Sequence, residues 1–127
     1  MSKTIIETTQ APAAIGPYSQ AVATGDLLFT SGALPIDPAT GKMVEGSVAD
    51  RAHQVFKNLS AVAEEAGTSL DNAVKTTVYL ADISDFQAVN AVYSEYFKSP
   101  FPARSAFQVA ALPLGSDIEV EAILNLK

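Results

Sequence analysis

Ser47-Val-Ala-Asp-Arg-Ala-His-Gln-Val-Phe-Lys-Asn-Leu-Ser-Ala-Val-Ala-Glu-Glu-Ala-Gly67, followed closely by Val74-Lys-Thr-Thr-Val-Tyr-Leu80, is the stretch that decides the fold. Ser47 has the short acceptor side chain of an N-cap, and Asp50 stands three residues on, in the capping-box position. Val48, Ala52, Val55, Phe56, Leu59, Val62, Ala63 and Ala66 recur at helical spacing, and Gly67 suits the left-handed residue that closes a helix. From Val74 the period changes to two: Val74, Thr76, Val78 and Leu80 alternate with Lys75, Thr77 and Tyr79, the pattern of a strand. His53 and Lys57 fall opposite the apolar stripe of the helix, which predicts a surface role for the only histidine in the chain.

Working outward, Ser84 with Gln87 three residues later predicts the start of a second helix, running to about Phe97. Its stripe is Phe86, Val89, Tyr93, Tyr96 and Phe97, and Pro100 and Pro102 prevent its continuation. Upstream, Thr4 to Thr8 reads as a short strand. Tyr18 to Thr24 and Leu27 to Ser31 flank Gly25-Asp26 as a hairpin, and Asp37 to Gly41 is a further turn. Downstream, Ala103 to Val109 and Ile118 to Leu126 read as two last strands. In the second of these Ile118, Val120, Ala122, Leu124 and Leu126 share one face, while Glu119, Glu121 and Ile123 share the other. The order β-β-β-α-β-α-β-β predicts one α+β domain over residues 1–127, a sheet with two helices on one face. The bare face is the expected oligomer surface.

Composition narrows the function. The 127 residues are 48% hydrophobic with mean hydropathy +0.19, which favours burial of apolar surface between subunits. Fourteen acids against eight bases give a net charge of −6, and the lysines are scattered singly. A nucleic-acid binder needs a basic stripe to displace counterions, so RNA or DNA is not the expected partner. The absence of cysteine excludes disulfides, thiolate metal sites and cysteine nucleophiles, and one histidine argues against a metal centre or a Ser-His-Asp triad. Met1 to Glu7 lacks a signal-peptide core, and no apolar run approaches the roughly 18 residues of a membrane span, so the cytoplasm is expected, with no membrane partner. Asn58-Leu59-Ser60 matches a glycosylation acceptor but falls inside the first helix, where it carries no such meaning.

Arg104, one of two arginines, stands in Phe101-Pro-Ala-Arg-Ser-Ala-Phe107 with Glu95 the only acid within ten positions. A guanidinium keeps its charge, so in an apolar setting it needs a carboxylate or phosphate from elsewhere in the fold, another subunit or a ligand. Two readings stand open: a structural ion pair with Glu119 or Glu121, and a two-pronged clamp for a ligand carboxylate. Were the last two strands a simple hairpin, Glu119 would face about Gln108 and Arg104 would lie some 13 Å further along, at ~3.3 Å per residue. Glu119 and Glu121 share a strand face ~7 Å apart, either as solvated acids or as a carboxylate able to orient or deprotonate water. Tyr18 and Ser31-Gly32 end the hairpin strands, and Gly32 permits close approach of a ligand. No phosphate loop, dinucleotide fingerprint or metal-ligand spacing occurs.

Six separated motifs occur in order along nearly the whole chain: Ala11-Pro-Ala-Ala-Ile-Gly-Pro-Tyr-Ser-Gln20, Thr30-Ser-Gly32, Lys75-Thr-Thr-Val78, Val89-Asn90, Phe101-Pro-Ala-Arg-Ser105 and Ile118-Glu-Val-Glu-Ala122. Together they resemble the RidA (YjgF/YER057c/UK114) family. The resemblance implies a chorismate-mutase-like α+β fold, a homotrimer with barrel-like packing of sheets and clefts between subunits, and a last strand inserted beside the third. It also implies cofactor-free hydrolysis of 2-imino acids (2-iminobutanoate, 2-iminopropanoate), products of pyridoxal-phosphate-dependent dehydratases, to 2-oxo acids and ammonia. Carried over residue by residue, Arg104 holds the substrate carboxylate and Glu119 positions water. Tyr18, Ser31, Gly32 and Asn90 line the cleft, and Phe86 is an apolar wall from the adjoining subunit. The chain departs from the pattern at Ala33, Ala106 and Ala111, where members often carry Gln or Glu, Cys and Arg. With Ala106 no thiol can take part. Two other roles attach to such a cleft: a low-turnover module that binds 2-oxo acids or regulates a partner, and an RNA-directed inhibitor of translation, which the charge disfavours.

Overall fold

The computed structural model describes residues 2–127. Eight strands and two α-helices follow one another: β1 (Thr4–Ile6), β2 (Ala21–Thr24), β3 (Leu27–Thr30), β4 (Ile36–Asp37), β5 (Lys42–Met43), α1 (Val48–Glu65), β6 (Ala73–Leu80), α2 (Phe86–Tyr96), β7 (Ala103–Gln108) and β8 (Ile118–Asn125). Six of the strands form a mixed sheet in the order β1-β2-β3-β8-β6-β7. Only β6 and β7 run parallel, joined through α2, as a parallel pair requires a crossover. The two-residue strands β4 and β5 close the Asp37–Gly41 turn into a small hairpin that periodicity cannot register.

The last strand is the main topological finding. β8 does not pair with β7; it runs antiparallel between β3 and β6, with Phe29 opposite Ile123 and Val78 opposite Val120. The simple-hairpin geometry is therefore replaced by central insertion, which buries the most apolar strand on both edges. Its alternation then sorts cleanly. Ile118, Val120, Ala122 and Leu124 join Thr76, Val78, Leu80 and Leu28 beneath the helices, all essentially inaccessible. The opposite face keeps Phe29, Tyr79, Phe107, Glu119 and Glu121 uncovered by any helix.

Helix α1 starts as its sequence predicts. The Ser47 side chain accepts from the Asp50 backbone N–H, and the Asp50 carboxylate accepts in return from the Ser47 N–H. Ala52, Val55, Phe56, Leu59, Val62 and Ala63 turn into the core. Asn58 is buried with them; its amide donates to the carbonyls of Leu34 and Ile36 and accepts from Gln54, so it tethers the segment after β3 to the helix.

Three expectations are corrected. Ser84 is not the cap of the second helix: Asp82 accepts from the Ser84 N–H and hydroxyl, a 3-10 turn follows over Ile83–Asp85, and α2 begins at Phe86. A short Asx-type bond inside the loop has outcompeted the capping role. His53 is half-buried rather than solvated, with Nδ1 3.0 Å from the Tyr96 hydroxyl, because α2 packs across that flank of α1. The strand expected from Tyr18 starts only at Ala21, leaving Tyr18 in the preceding loop.

Candidate active site

β7 is an edge strand, and its parallel register sets Arg104 opposite Thr76. Thr76 is fully buried under α2, so Arg104 also points to the helix side. There the guanidinium carbon lies 4.7 Å from the centre of the Tyr93 ring and 5.2 Å from that of Phe86, distances typical of cation–π contact. Nη1 donates to Asn90 Oδ1 at 2.7 Å. Phe86, Asn90 and Tyr93 are spaced four and three residues apart, which puts them on one face of α2. Among the described residues the ion pairs are Arg51–Asp117 and Lys127–Asp26, and His53 Nε2 lies 4.0 Å from a Glu95 carboxylate oxygen; Arg104 forms none. The structural pairing of Arg104 with Glu119 or Glu121 does not occur. Beside it, Phe86, Gln87 and Ala106 line an open trough.

Glu119 lies on the other side of the sheet. It stands opposite Tyr79 on β6, between the buried Ile118 and Val120, and so faces away from the helices. Burial, and then the neighbouring charge of Glu121, pushes its carboxyl above the ordinary range. The Tyr79 hydroxyl is raised in turn by burial and by Glu121 and Glu119.

Gly32 supports this carboxylate by absence of a side chain. A Cβ there would collide with Glu119 Oε2 and lie 2.7 Å from Cδ. The close approach arises where β3 leaves β8. The pairs Phe29–Ile123 and Ala33–Val120 differ by one residue in register, so Thr30-Ser31-Gly32 opposes only Glu121-Ala122. The Ala122 N–H is satisfied by the Thr30 hydroxyl instead of a ladder carbonyl. Ser31 is held by its N–H on the Gln20 carbonyl and its hydroxyl on that of Ser19. Tyr18, 53% exposed, and Ser31 and Gly32 line a cleft of about 440 Å³ whose deeper walls include Leu34, Leu59 and Val62.

The seven residues expected at the site thus fall into two groups. Arg104, Asn90 and Phe86 meet on the helix side of the edge strand; Tyr18, Ser31, Gly32 and Glu119 gather around the bulge where β3 leaves β8 in the middle of the sheet. Within one chain the groups are not joined. Phe86 adjoins Arg104 of its own chain. Tyr93 was absent from the expected set, although its spacing from Phe86 and Asn90 was the available signal. Among the described residues no three His, Cys, Asp or Glu side chains cluster to hold a metal ion, and no helix is long and apolar enough to cross a membrane.

The family model for endoribonuclease L-PSP matches residues 8–125. The chain belongs to this family, the YjgF/RidA family. Within it, the chain is 54% identical over 119 residues to the human protein named 2-iminobutanoate/2-iminopropanoate deaminase, covering 94% of this chain and 87% of that one. A crystal structure of the Rid-family protein YyfA from Yersinia pestis superposes with a TM-score of 0.95 at 46% identity, covering 98% of this chain and 99% of that one. The structure of Escherichia coli TdcF with bound serine matches with a TM-score of 0.91 at 40% identity, covering 96% and 98%. The Rid family therefore accounts for the mixed sheet with its two helices.

Proposed function

We propose that this chain is a cofactor-free deaminase that hydrolyses 2-imino acids to 2-oxo acids and ammonia, in clefts formed between copies of the chain in a homotrimer. The observation that carries this reading is Arg104: an exposed guanidinium, oriented by two rings and an amide, with no carboxylate of its own chain. Arg carries five N–H donors. Asn90 takes one from Nη1, and a bidentate carboxylate uses two more. The human relative named 2-iminobutanoate/2-iminopropanoate deaminase supports the choice of substrate.

The chemistry suits so sparse a site. In the protonated imine R–C(=NH2+)–COO−, C2 is already electrophilic, so attack by water needs positioning and a proton acceptor more than a covalent nucleophile. Water attacks C2 as its proton passes to Glu119, giving a carbinolamine. The C–N bond then breaks as the nitrogen takes that proton and the carbinol hydroxyl gives up its own to the departing ammonia, so the products are R–CO–COO− and ammonium. A carboxyl pushed above its usual range by burial is, once ionised, a better base than a solvated one.

Two half-sites on opposite faces of one sheet meet only if copies associate, and the helix-free face with its exposed Phe29 and Phe107 suits that packing. The net charge of −6 weighs against RNA as substrate.

The direct test couples a threonine dehydratase to this protein, with semicarbazide trapping the free imine. The chain is expected to speed 2-oxobutyrate formation at the expense of the semicarbazone, and Arg104→Ala, Arg104→Lys and Glu119→Gln are expected to abolish the gain. Binding of 2-oxobutyrate without any acceleration would establish a binding module instead.

A further inference from the structure

We propose that Tyr93 is a positioning residue for Arg104, its ring serving as a fixed platform that holds the guanidinium in the plane a substrate carboxylate needs. This rests on the carboxylate-clamp reading of Arg104.

Three observations meet at this ring. It lies closer to the guanidinium than Phe86 does, 4.7 Å against 5.2 Å. It is only 5% exposed, and its hydroxyl is 2.7 Å from that of Thr76, a side chain wholly inside the core. Its remaining surface is stacked on Phe97 at 4.4 Å and met edge-on by Phe56 at 5.7 Å. Phe86, by comparison, is half-buried at the start of α2. Tyr93 is thus locked to strand, helix and neighbouring rings at once, and a ring so fixed cannot swing away with the arginine it supports.

An arginine on an exposed edge strand has several rotatable bonds, and capturing a carboxylate means ordering all of them. Stacking on an immobile aromatic face removes much of that loss before ligand arrives, and the Asn90 bond fixes rotation within the plane. Burial raises the pKa of the Tyr93 hydroxyl, while the Thr76 bond and then the nearby charge of Arg104 act against it. A purely structural tyrosine would need the Thr76 bond and the core packing, but not a cation over its outer face.

Replacement of Tyr93 by phenylalanine and by 3,4,5-trifluorophenylalanine separates these roles, since both lack the hydroxyl and keep the shape while fluorine drains the ring of its negative face. Binding of 2-oxobutyrate and the KM of the coupled reaction are the readouts, with Tm as the control for folding. Relative to phenylalanine, the fluorinated ring should weaken 2-oxobutyrate about fivefold and raise KM more than it lowers kcat, at equal Tm. Tyr93→Leu should weaken binding about tenfold or more. If fluorination leaves affinity unchanged while Arg104→Ala abolishes it, the platform is overturned and the clamp stands. If Arg104→Ala binds 2-oxobutyrate normally, the clamp itself is overturned and the platform with it.

Discussion

Arg104 and Glu119 occupy opposite faces of the same sheet. Arg104 is registered with Thr76 on the helix side, and Glu119 with Tyr79 on the open side. Side chains on opposite faces of a sheet cannot converge on one small molecule. A reaction that uses both must therefore draw them from different chains, and that requirement is open to experiment.

Mixing inactive variants should restore activity. If each cleft takes Arg104 from one chain and Glu119 from the next, Arg104→Ala and Glu119→Gln chains, refolded together in equal amounts, leave one intact cleft in every mixed trimer. Three quarters of random trimers are mixed, so about one quarter of the unsubstituted activity should return. No recovery on mixing, with mixed oligomers verified by mass, would show that the two residues act within one chain or not together.

Gly32→Ala should be damaging for a steric reason. The added methyl occupies space held by the Glu119 carboxylate, and overpacking of this kind costs about 1–3 kcal/mol. Removing the clash with Glu119→Ala in the same chain should recover stability but not activity, a coupling that a double-mutant cycle in urea measures.

The raised carboxyl of Glu119 predicts two opposing pH dependences. Its folded state holds a proton more tightly than the unfolded chain, whose reference value is 4.5. The contribution to stability is fully present below that value and is lost as pH rises through the higher folded pKa. Glu119→Gln should flatten this part of the stability profile. Activity should run the other way, rising as Glu119 ionises, with an acid limb displaced above the ordinary carboxylate range. A limb at the unperturbed position would remove Glu119 from the role of base.

Asn58→Ala should destabilise the fold without touching the proposed chemistry directly. It strands the Ile36 carbonyl and leaves that of Leu34 with only the Ile36 N–H as donor, at a cost of about 1–3 kcal/mol. Because the same segment continues from Ser31 and Gly32, KM should rise as well. Chemical denaturation and steady-state kinetics on one preparation check both.

Much of this was legible in the sequence because it is local. The capping box of Ser47 and Asp50, the 3.6-residue stripe from Ala52 to Ala63 and the alternation from Ile118 to Leu124 are properties of neighbouring residues, and each reappears as expected. Asp82 shows the limit of such reasoning. Its bonds to Ser84 are equally local, yet nothing in the pattern says whether the aspartate or the serine will organise the turn.

What the chain determined by itself was the set of elements, their buried faces and the motifs of the Rid family. The family motifs implied a last strand beside the third, but only the tertiary structure decided which carboxylates that placement leaves Arg104 to reach. Strand insertion is a long-range choice made by burial of Ile118, Val120, Ala122 and Leu124 on both edges, with no local signal. By placing Glu119 on the open face, away from the guanidinium that the β6–β7 pairing sets against Tyr93, that choice left Arg104 without an acid of its own.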